Sequence, residues 1–454
     1  MRKIAFHNLG CKVNSYEMDY IAQNCEKYGY EITDFDGLAD IYVINTCSVT
    51  NIADRKSRQM IHKARKNNPQ GTVVALGCFV QANPEEVMKD EAIDLIIGNN
   101  RKKDFFELIG EYERIKNNGE LPLKDLGGKT IEDVFHCEYE EMKVSSSAER
   151  SRAYVKIQDG CDRYCTYCII PYTRGNIRSR KPSDVVEEIE MIAQRGYKEV
   201  VLTGIHISSY GKDFEKSRGP ETELLNLLEA IDRISGIERI RIGSFEPMLL
   251  SEDFVKGLAK VGKLCPHFHI SLQSGSDSVL KRMNRHYDTT AYFDKTLLLR
   301  KYFEGCAITT DVIVGFPGET AEEFEETLNY LIKIKFYETH IFPYSRRKGT
   351  IADRMPGQLT EKQKKERVRT LLSLDAKESL NFRKGKIGKE TNIIVEETKE
   401  IEGREYLIGH TPEYITVAYR PREGFQNGKF IGELVDLTMT DMLTDEIVLG
   451  VEKE

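Results

Sequence analysis

The sequence predicts an α/β protein in three parts: an N-terminal doubly wound parallel α/β domain, a central partial (β/α)6 barrel and a small C-terminal antiparallel β-barrel. Three observations predict it. Strand and helix patterns alternate from Lys3 to about Lys116, the alternation returns with six strand candidates between Ala153 and Phe342, and only short strands follow Thr391. A chain of 454 residues exceeds one ordinary core. Domains are expected at residues 1–117, 152–372 and 373–450, with 118–151 as linker.

In the first part, Ile4-Ala5-Phe6 is a short strand, Ser15 to Tyr28 a helix, Ile41 to Ile44 a buried strand and Ile52 to Lys66 a basic helix. Val73 to Leu76 and Ile93 to Ile97 complete the strands, with a helix opening at Pro84. This order implies a parallel sheet covered on both faces. Cys11, Cys47 and Cys78 each follow the carboxyl end of a strand, so they should converge at the crevice where such sheets bind ligands. The helices after them would present N-terminal dipoles, which lower thiolate pKa and favour metal ligation.

The linker has two polar stretches, Asn117 to Thr130 and Glu140 to Arg152, the second with Ser145-Ser146-Ser147. Beyond it the strands are Ala153–Gln158, Glu199–Thr203, Arg239–Gly243, His267–Leu272, Ala307–Val314 and Tyr337–Phe342. Ser183, Ser251 and Thr320 read as caps of intervening helices. Six units fall short of the eight that close a barrel, leaving a side open for a large substrate. A basic helix tail, Ser373 to Lys389, leads to strands at 392–396, 405–409, 414–419 and 432–438. Small barrels of this kind bind RNA or serve as packing modules.

Composition narrows the function. Hydrophobic residues are 40% and charged residues 31%, and no apolar run reaches the length of a membrane span. The start leads directly into a strand pattern, so a cytoplasmic location is expected. There ten cysteines point to metal binding or catalysis rather than disulfides. The net charge of −7 argues against a nonspecific coat on nucleic acid but leaves room for a local basic surface.

The densest cysteine group is Cys161, Cys165 and Cys168, directly after the strand Ala153–Gln158. Three thiolates on one loop hold iron or zinc, but a tetrahedral ion or a cluster needs four ligands. Three protein ligands with one open position are the arrangement that lets a metal act on a bound molecule. Further loops share that face: Thr203-Gly204-Ile205-His206, Ser244 to Pro247, Gln273 to Ser276, and Gly315-Phe316-Pro317-Gly318. Cys25, Cys137, Cys265 and Cys306 show no equivalent placement and read as structural, and His7, His206 and His269 as structural or supporting.

The spacing Cys161-x-x-x-Cys165-x-x-Cys168, with Tyr167 before the last cysteine, resembles the signature of radical S-adenosylmethionine enzymes. That resemblance implies a [4Fe–4S] cluster whose fourth iron binds S-adenosylmethionine and drives formation of a 5′-deoxyadenosyl radical. It also implies Tyr167, Thr203, Gly204, Gln273, Gly315 and Phe316 around the cofactor. Over nearly the whole chain, Gly10-Cys11-Lys12-Val13-Asn14, Asn45-Thr46-Cys47, Gly77-Cys78 and a terminal barrel are similar to the methylthiotransferases. For this family the expectation is a second [4Fe–4S] cluster on Cys11, Cys47 and Cys78, a TRAM domain at the C-terminus, and two uses of S-adenosylmethionine, as methyl donor and radical source.

Gly10-Cys11-Lys12-Val13-Asn14-Ser15-Tyr16-Glu17 resembles the type acting on N6-threonylcarbamoyladenosine, next to the anticodon (position 37) of tRNA, giving the 2-methylthio derivative. Phe79, Val80 and Phe245 depart from commoner family residues. Isopentenyladenosine in tRNA, or an aspartate of a ribosomal protein, is the alternative substrate; a metal-stabilised RNA-binding protein is the alternative outside enzymes. Partners implied are tRNA, a sulfur donor and an electron donor. Two basic segments, with Arg174, Arg178 and Arg180 in one and Arg346 and Arg347 in the other, suit RNA phosphates or a solvated face.

Overall fold

The computed structural model describes residues 1–145, 151–421 and 430–453. Its first sheet comprises β1 (Arg2–Asn8), β2 (Tyr30–Thr33), β3 (Ile41–Thr46), β4 (Thr72–Gly77) and β5 (Leu95–Ile97). The order is β2-β1-β3-β4-β5, parallel throughout. Every residue of β3 and β4 is buried, as a sheet covered on both faces requires. Val43 and Val74 pack with the helices Lys12–Asn24 and Phe105–Asn117, while Tyr42, Ile44 and Val73 pack on the other face with Ile61 and Ala64 of the helix Asn51–Asn67. The strand order reverses between β1 and β3, so the ligand crevice of this sheet lies at Cys11 and Cys47.

The central part carries β6 (Arg152–Asp159), β7 (Arg178–Ser179), β8 (Glu199–Gly204), β9 (Arg239–Ile242), β10 (His267–His269), β11 (Ala307–Val314) and β12 (Glu338–Pro343). Two sheets, β7-β6-β8-β9 and β10-β11-β12, are joined by the parallel bridges Ile240–Leu264 and Phe245–Ile270. All six predicted strands are present; β7 is a two-residue antiparallel addition. Ser251 and Thr320 cap their helices through side-chain acceptors. Ser183 does not: Pro182 begins the helix Pro182–Gln194, which places Ser183 inside the first turn.

The helix Glu361–Lys384 runs unbroken through residues 372 and 373 into β13 (Glu390–Ile401), β14 (Arg404–His410), β15 (Thr416–Tyr419), β16 (Leu434–Met442) and β17 (Val448–Glu452). These close in the order β13-β14-β15-β17-β16. The barrel is mixed rather than wholly antiparallel, because β15 and β17 pair parallel. It covers the amino-terminal end of the central strands. Arg239 donates to the His410 carbonyl at 2.8 Å and Arg241 to that of Pro412 at 3.0 Å. The Tyr414 ring stacks on His267 at 5.3 Å, with the guanidiniums of Arg152 and Arg241 at 4.9 and 4.8 Å from its centroid.

The described part of the linker packs on the body: Met142 and Val144 are buried with Tyr16, and Tyr139 donates to the Lys156 carbonyl at 2.9 Å. Residues 146–150 of the serine-rich stretch lie outside the described residues. Among the described residues no helix is long and apolar enough to cross a membrane.

Candidate active site

β6 delivers the chain to Gly160, whose φ is +73° and where a Cβ would lie 1.8 Å from the Asn176 carbonyl oxygen, so glycine is required. The loop that follows is tied from several sides. Thr166 donates through its amide to Met283 O at 3.1 Å and through its hydroxyl to Arg282 O at 2.9 Å. Asn284 donates to Tyr164 O at 3.1 Å, and the Ala352 amide to Thr166 O at 2.8 Å. Cys165 sits close enough to raise the pKa of both Cys161 and Cys168. Burial is the larger cause, pushing Cys161 up to about 11 and Cys168 to about 12. Binding of a metal therefore has to release these protons.

Arg285 was not singled out by the sequence. Its Nη1 donates to Cys165 Sγ at 3.2 Å, its Nε donates to Tyr287 Oη at 3.0 Å, and its charge faces Glu246 at 3.5 Å. Glu246 also meets Arg163 at 2.7 Å and His206 at 3.2 Å. Burial alone would raise its pKa, but the His206 hydrogen bond and the charges of Arg285 and Arg163 hold it at about 2. A donor to a ligating sulfur raises the potential of an iron–sulfur cluster. Arg285→Met is therefore expected to lower the one-electron potential of the cluster at Cys161, Cys165 and Cys168. Each ~59 mV of lowering cuts the reduced fraction tenfold. Redox titration followed by electron paramagnetic resonance checks this; an unchanged potential would refute it.

Cys168 and Tyr167 open onto a cavity of about 260 Å³. Gln273 and Asp311 line it from the barrel, Val49 and Thr50 from the loop after Cys47, so it lies at the seam of the first two parts. Of the residues expected around a cofactor, Tyr167 and Gln273 face this cavity. Thr203 is buried at the end of β8, and Gly204 packs against Gln158. Gly315 and Phe316 depart from the expectation: both amides donate to Glu319, and Phe316 is fully buried beside Tyr344. Their part is to shape the loop.

The second cysteine group gathers as expected at the ends of β1, β3 and β4. A Cβ on Gly10 would stand 3.2 Å from Cys47 Sγ, and the Cys78 sulfur is near enough to raise the pKa of Cys11 and of Cys47. The expected lowering of thiolate pKa is overturned for two of them. Burial outweighs the helix ends and pushes Cys11 up, and Cys47 to about 11. Asn99 links the two groups: its Nδ2 reaches Cys78 Sγ at 3.5 Å and Thr173 O at 2.7 Å, in the short helix Ile170–Arg174 just past Cys168. Cys25, Cys265 and Cys306 are buried apart from both, in keeping with a structural role.

The basic segments do not form the RNA face considered from sequence. Arg174, Arg178, Arg180 and Arg347 are at most 5% exposed and already paired. Arg174 contacts Glu17 and Asp159, and donates to Asn14 Oδ1 at 2.6 Å; Arg178 lies 3.8 Å from Asp159. Arg180 pairs with Glu188 at 2.5 Å and with Glu141. Arg347 reaches Asp54 at 2.5 Å and Ser48 at 2.6 Å. They fasten the barrel to the first domain and its linker, since a buried guanidinium must be paired. Arg346 alone of the five is exposed, against Asp353 at 2.9 Å.

An open three-thiol loop at the carboxyl end of a partial barrel defines a radical S-adenosylmethionine protein, which implies S-adenosylmethionine and a [4Fe–4S] cluster. The family model described as "Radical SAM superfamily" matches residues 155–331, and "Uncharacterized protein family UPF0004" matches residues 3–98. The chain belongs to the methylthiotransferase family. It is 41% identical, over 93% of its length and 91% of the relative's, to the threonylcarbamoyladenosine tRNA methylthiotransferase MtaB of Bacillus subtilis (strain 168). It is 33% identical, over 97% and 95%, to the tRNA-2-methylthio-N(6)-dimethylallyladenosine synthase of Pelotomaculum thermopropionicum. In fold it is similar to the radical S-adenosylmethionine methyltransferase TsrM of Kitasatospora setae, with TM-score 0.54 and 15% identity over 75% of this chain and 72% of that one.

Proposed function

We propose that the protein converts N6-threonylcarbamoyladenosine of tRNA, next to the anticodon, into its 2-methylthio derivative. The observation that carries the reading is the seam between two cysteine groups, where residues following Cys47 and residues adjoining Cys168 wall one cavity. The greater likeness to the B. subtilis relative, 41% against 33% for the dimethylallyl-type relative, favours this nucleoside. Cys161, Cys165 and Cys168 would hold one [4Fe–4S] cluster, and Cys11, Cys47 and Cys78 a second. The approach of Cys78 to Cys11 and Cys47, with Cys47 and Cys78 buried and Cys11 open to solvent, supports that set. When bound, the first cluster supplies an electron to S-adenosylmethionine, and the second carries the sulfur to be transferred.

The chain's own residues position this chemistry. Tyr167 and Gln273 wall the cofactor cavity, Val49 and Thr50 close it from the other domain, and Asn99 fixes the spacing of the two cysteine groups. We take residues 1–117, 152–372 and 373–450 as the functional parts, the last as a TRAM-like barrel contacting tRNA, and the cytoplasm as the place of action. A sulfur donor and an electron donor complete the reaction. Nucleoside digests of tRNA from cells with and without the gene, analysed by mass spectrometry, test the reading. Loss of 2-methylthio-N6-threonylcarbamoyladenosine on deletion is expected. Loss of the methylthio-isopentenyl nucleoside instead would assign the other substrate, and unchanged digests would reject both.

A further inference from the structure

The barrel interior holds a polar cluster that the cluster chemistry does not use. His269 of β10, Asp311 of β11 and His340 of β12 bring ring nitrogens and a carboxylate oxygen within 4.8 Å of one another. His269 is oriented from both sides, by Thr309 Oγ1 at 3.0 Å on Nδ1 and by Asp311 Oδ2 at 3.4 Å on Nε2. The His340 ring lies stacked on it, 5.7 Å between centroids and 20° between planes. Asp311 is at the same time a wall of the cavity that contains Cys168.

Lys12 approaches from the other domain. It begins the helix Lys12–Asn24 directly after Cys11, and its charge is felt by His267 together with those of Arg241, His269 and His340. The neighbouring cations are committed. Arg241 meets Glu199 at 3.0 Å and Arg152 meets Glu396 at 3.2 Å, while burial, with Arg241 next, holds the pKa of His267 well below the usual imidazole value. Among the described residues, Lys12 has no carboxylate partner and His340 no hydrogen bond. The interior therefore offers uncommitted donors on Lys12 and His340, with the Asp311 carboxylate on the cavity side.

Such an interior is wrong for a hydrocarbon and right for an anion. An isopentenyl group would strip water from Lys12, His340 and Asp311 and return nothing. A threonylcarbamoyl group ends in a carboxylate and carries a hydroxyl. We propose that Lys12 and His340 bind the carboxylate of the N6 substituent and that Asp311, held in place by His269, accepts from its hydroxyl, making this cluster the specificity site for the substrate nucleoside. The inference rests on the functional reading above and adds the residues that choose between its two nucleosides. Sites that hydrogen-bond a substrate group reject analogues lacking it far more strongly than apolar pockets reject an extra methylene.

The test uses reconstituted full-length enzyme with S-adenosylmethionine and tRNA carrying threonylcarbamoyladenosine, either as the free acid or as its methyl ester. For the wild type, the ester should raise KM at least tenfold, one unit of charge-assisted hydrogen bonding. Lys12→Met and His340→Phe should raise KM for the acid by a similar factor, and Lys12→Arg should recover most of it. On the ester, Lys12→Met and the wild type should be nearly alike. Iron content and the cluster spectrum should not move, which separates substrate binding from damage beside Cys11. An ester as good as the acid, or wild-type KM in both Lys12→Met and His340→Phe, would overturn the inference while leaving the functional reading intact. A stoichiometric divalent metal besides iron, lost in His340→Phe, would also overturn it by making the cluster a metal site. Wild-type enzyme that ignores the acid and modifies isopentenyladenosine would remove the functional reading and the inference together.

Discussion

Cys165→Ser is expected to abolish reductive cleavage of S-adenosylmethionine and, with the two clusters proposed above, to cut iron from about eight to about four per chain. Cys165 is 9% exposed, and its sulfur is where Arg285 donates. A serine oxygen is a harder ligand that binds iron poorly in this setting, and it would leave the guanidinium pointing at a weak acceptor. Cys78→Ser makes the complementary case: the same loss of iron, but continued production of 5′-deoxyadenosine and no methylthiolated nucleoside. Iron analysis paired with chromatography of deoxyadenosine separates the two variants. If Cys78→Ser also stops cleavage, the two cysteine groups do not work as separate centres.

The second large effect is expected at Glu17. Its carboxylate is fully buried among Lys102 of its own domain and Lys156 and Arg174 of the barrel, with Lys156 at 2.8 Å. Burial pushes its pKa up, yet Arg174, Lys102 and Lys156 outweigh that and hold it well below the usual carboxylate range. Glu17→Gln removes one negative charge from beneath three positive ones, and breaking a buried pair in this way costs about 3–5 kcal/mol. Because the folded pKa is depressed, the stabilisation is present above the unfolded value near 4.5 and is lost as pH falls below it. The gap in melting temperature between wild type and Glu17→Gln, measured on metal-free protein, should be wide at pH 7 and narrow in acid. Equal melting at pH 7 would show that the domains are held by something else.

How far the sequence could be read differs from feature to feature, for physical reasons. Strands such as β3 and β4 are buried throughout, and Cys47 and Cys78 stand just past their ends, so the strand pattern located the sheets and the places where the cysteines gather. The strand β2 escaped because it is a four-residue edge whose Glu31 and Ile32 face solvent. The strand β17 escaped because five residues near the chain end carry little pattern. The arginines misled for a different reason. A run such as Arg174-Gly175-Asn176-Ile177-Arg178-Ser179-Arg180 looks like a solvated basic face until its partners are known, and Glu17 lies 157 residues away. Arg285 carries no local signal either, since its importance is a single contact across 120 residues.

The covering of the central barrel by the loop around Tyr414 has one more consequence. It makes the interior a blind well instead of a channel: what enters at the carboxyl ends of the strands cannot pass through. Depth then becomes a ruler. A substituent shorter than the well leaves water beneath it, and a longer one holds the purine too high to meet the chemistry at the mouth. Trimming the plug with Tyr414→Ala should lengthen the ruler, measured as a smaller KM penalty than in the wild type for tRNA bearing a bulkier N6 group.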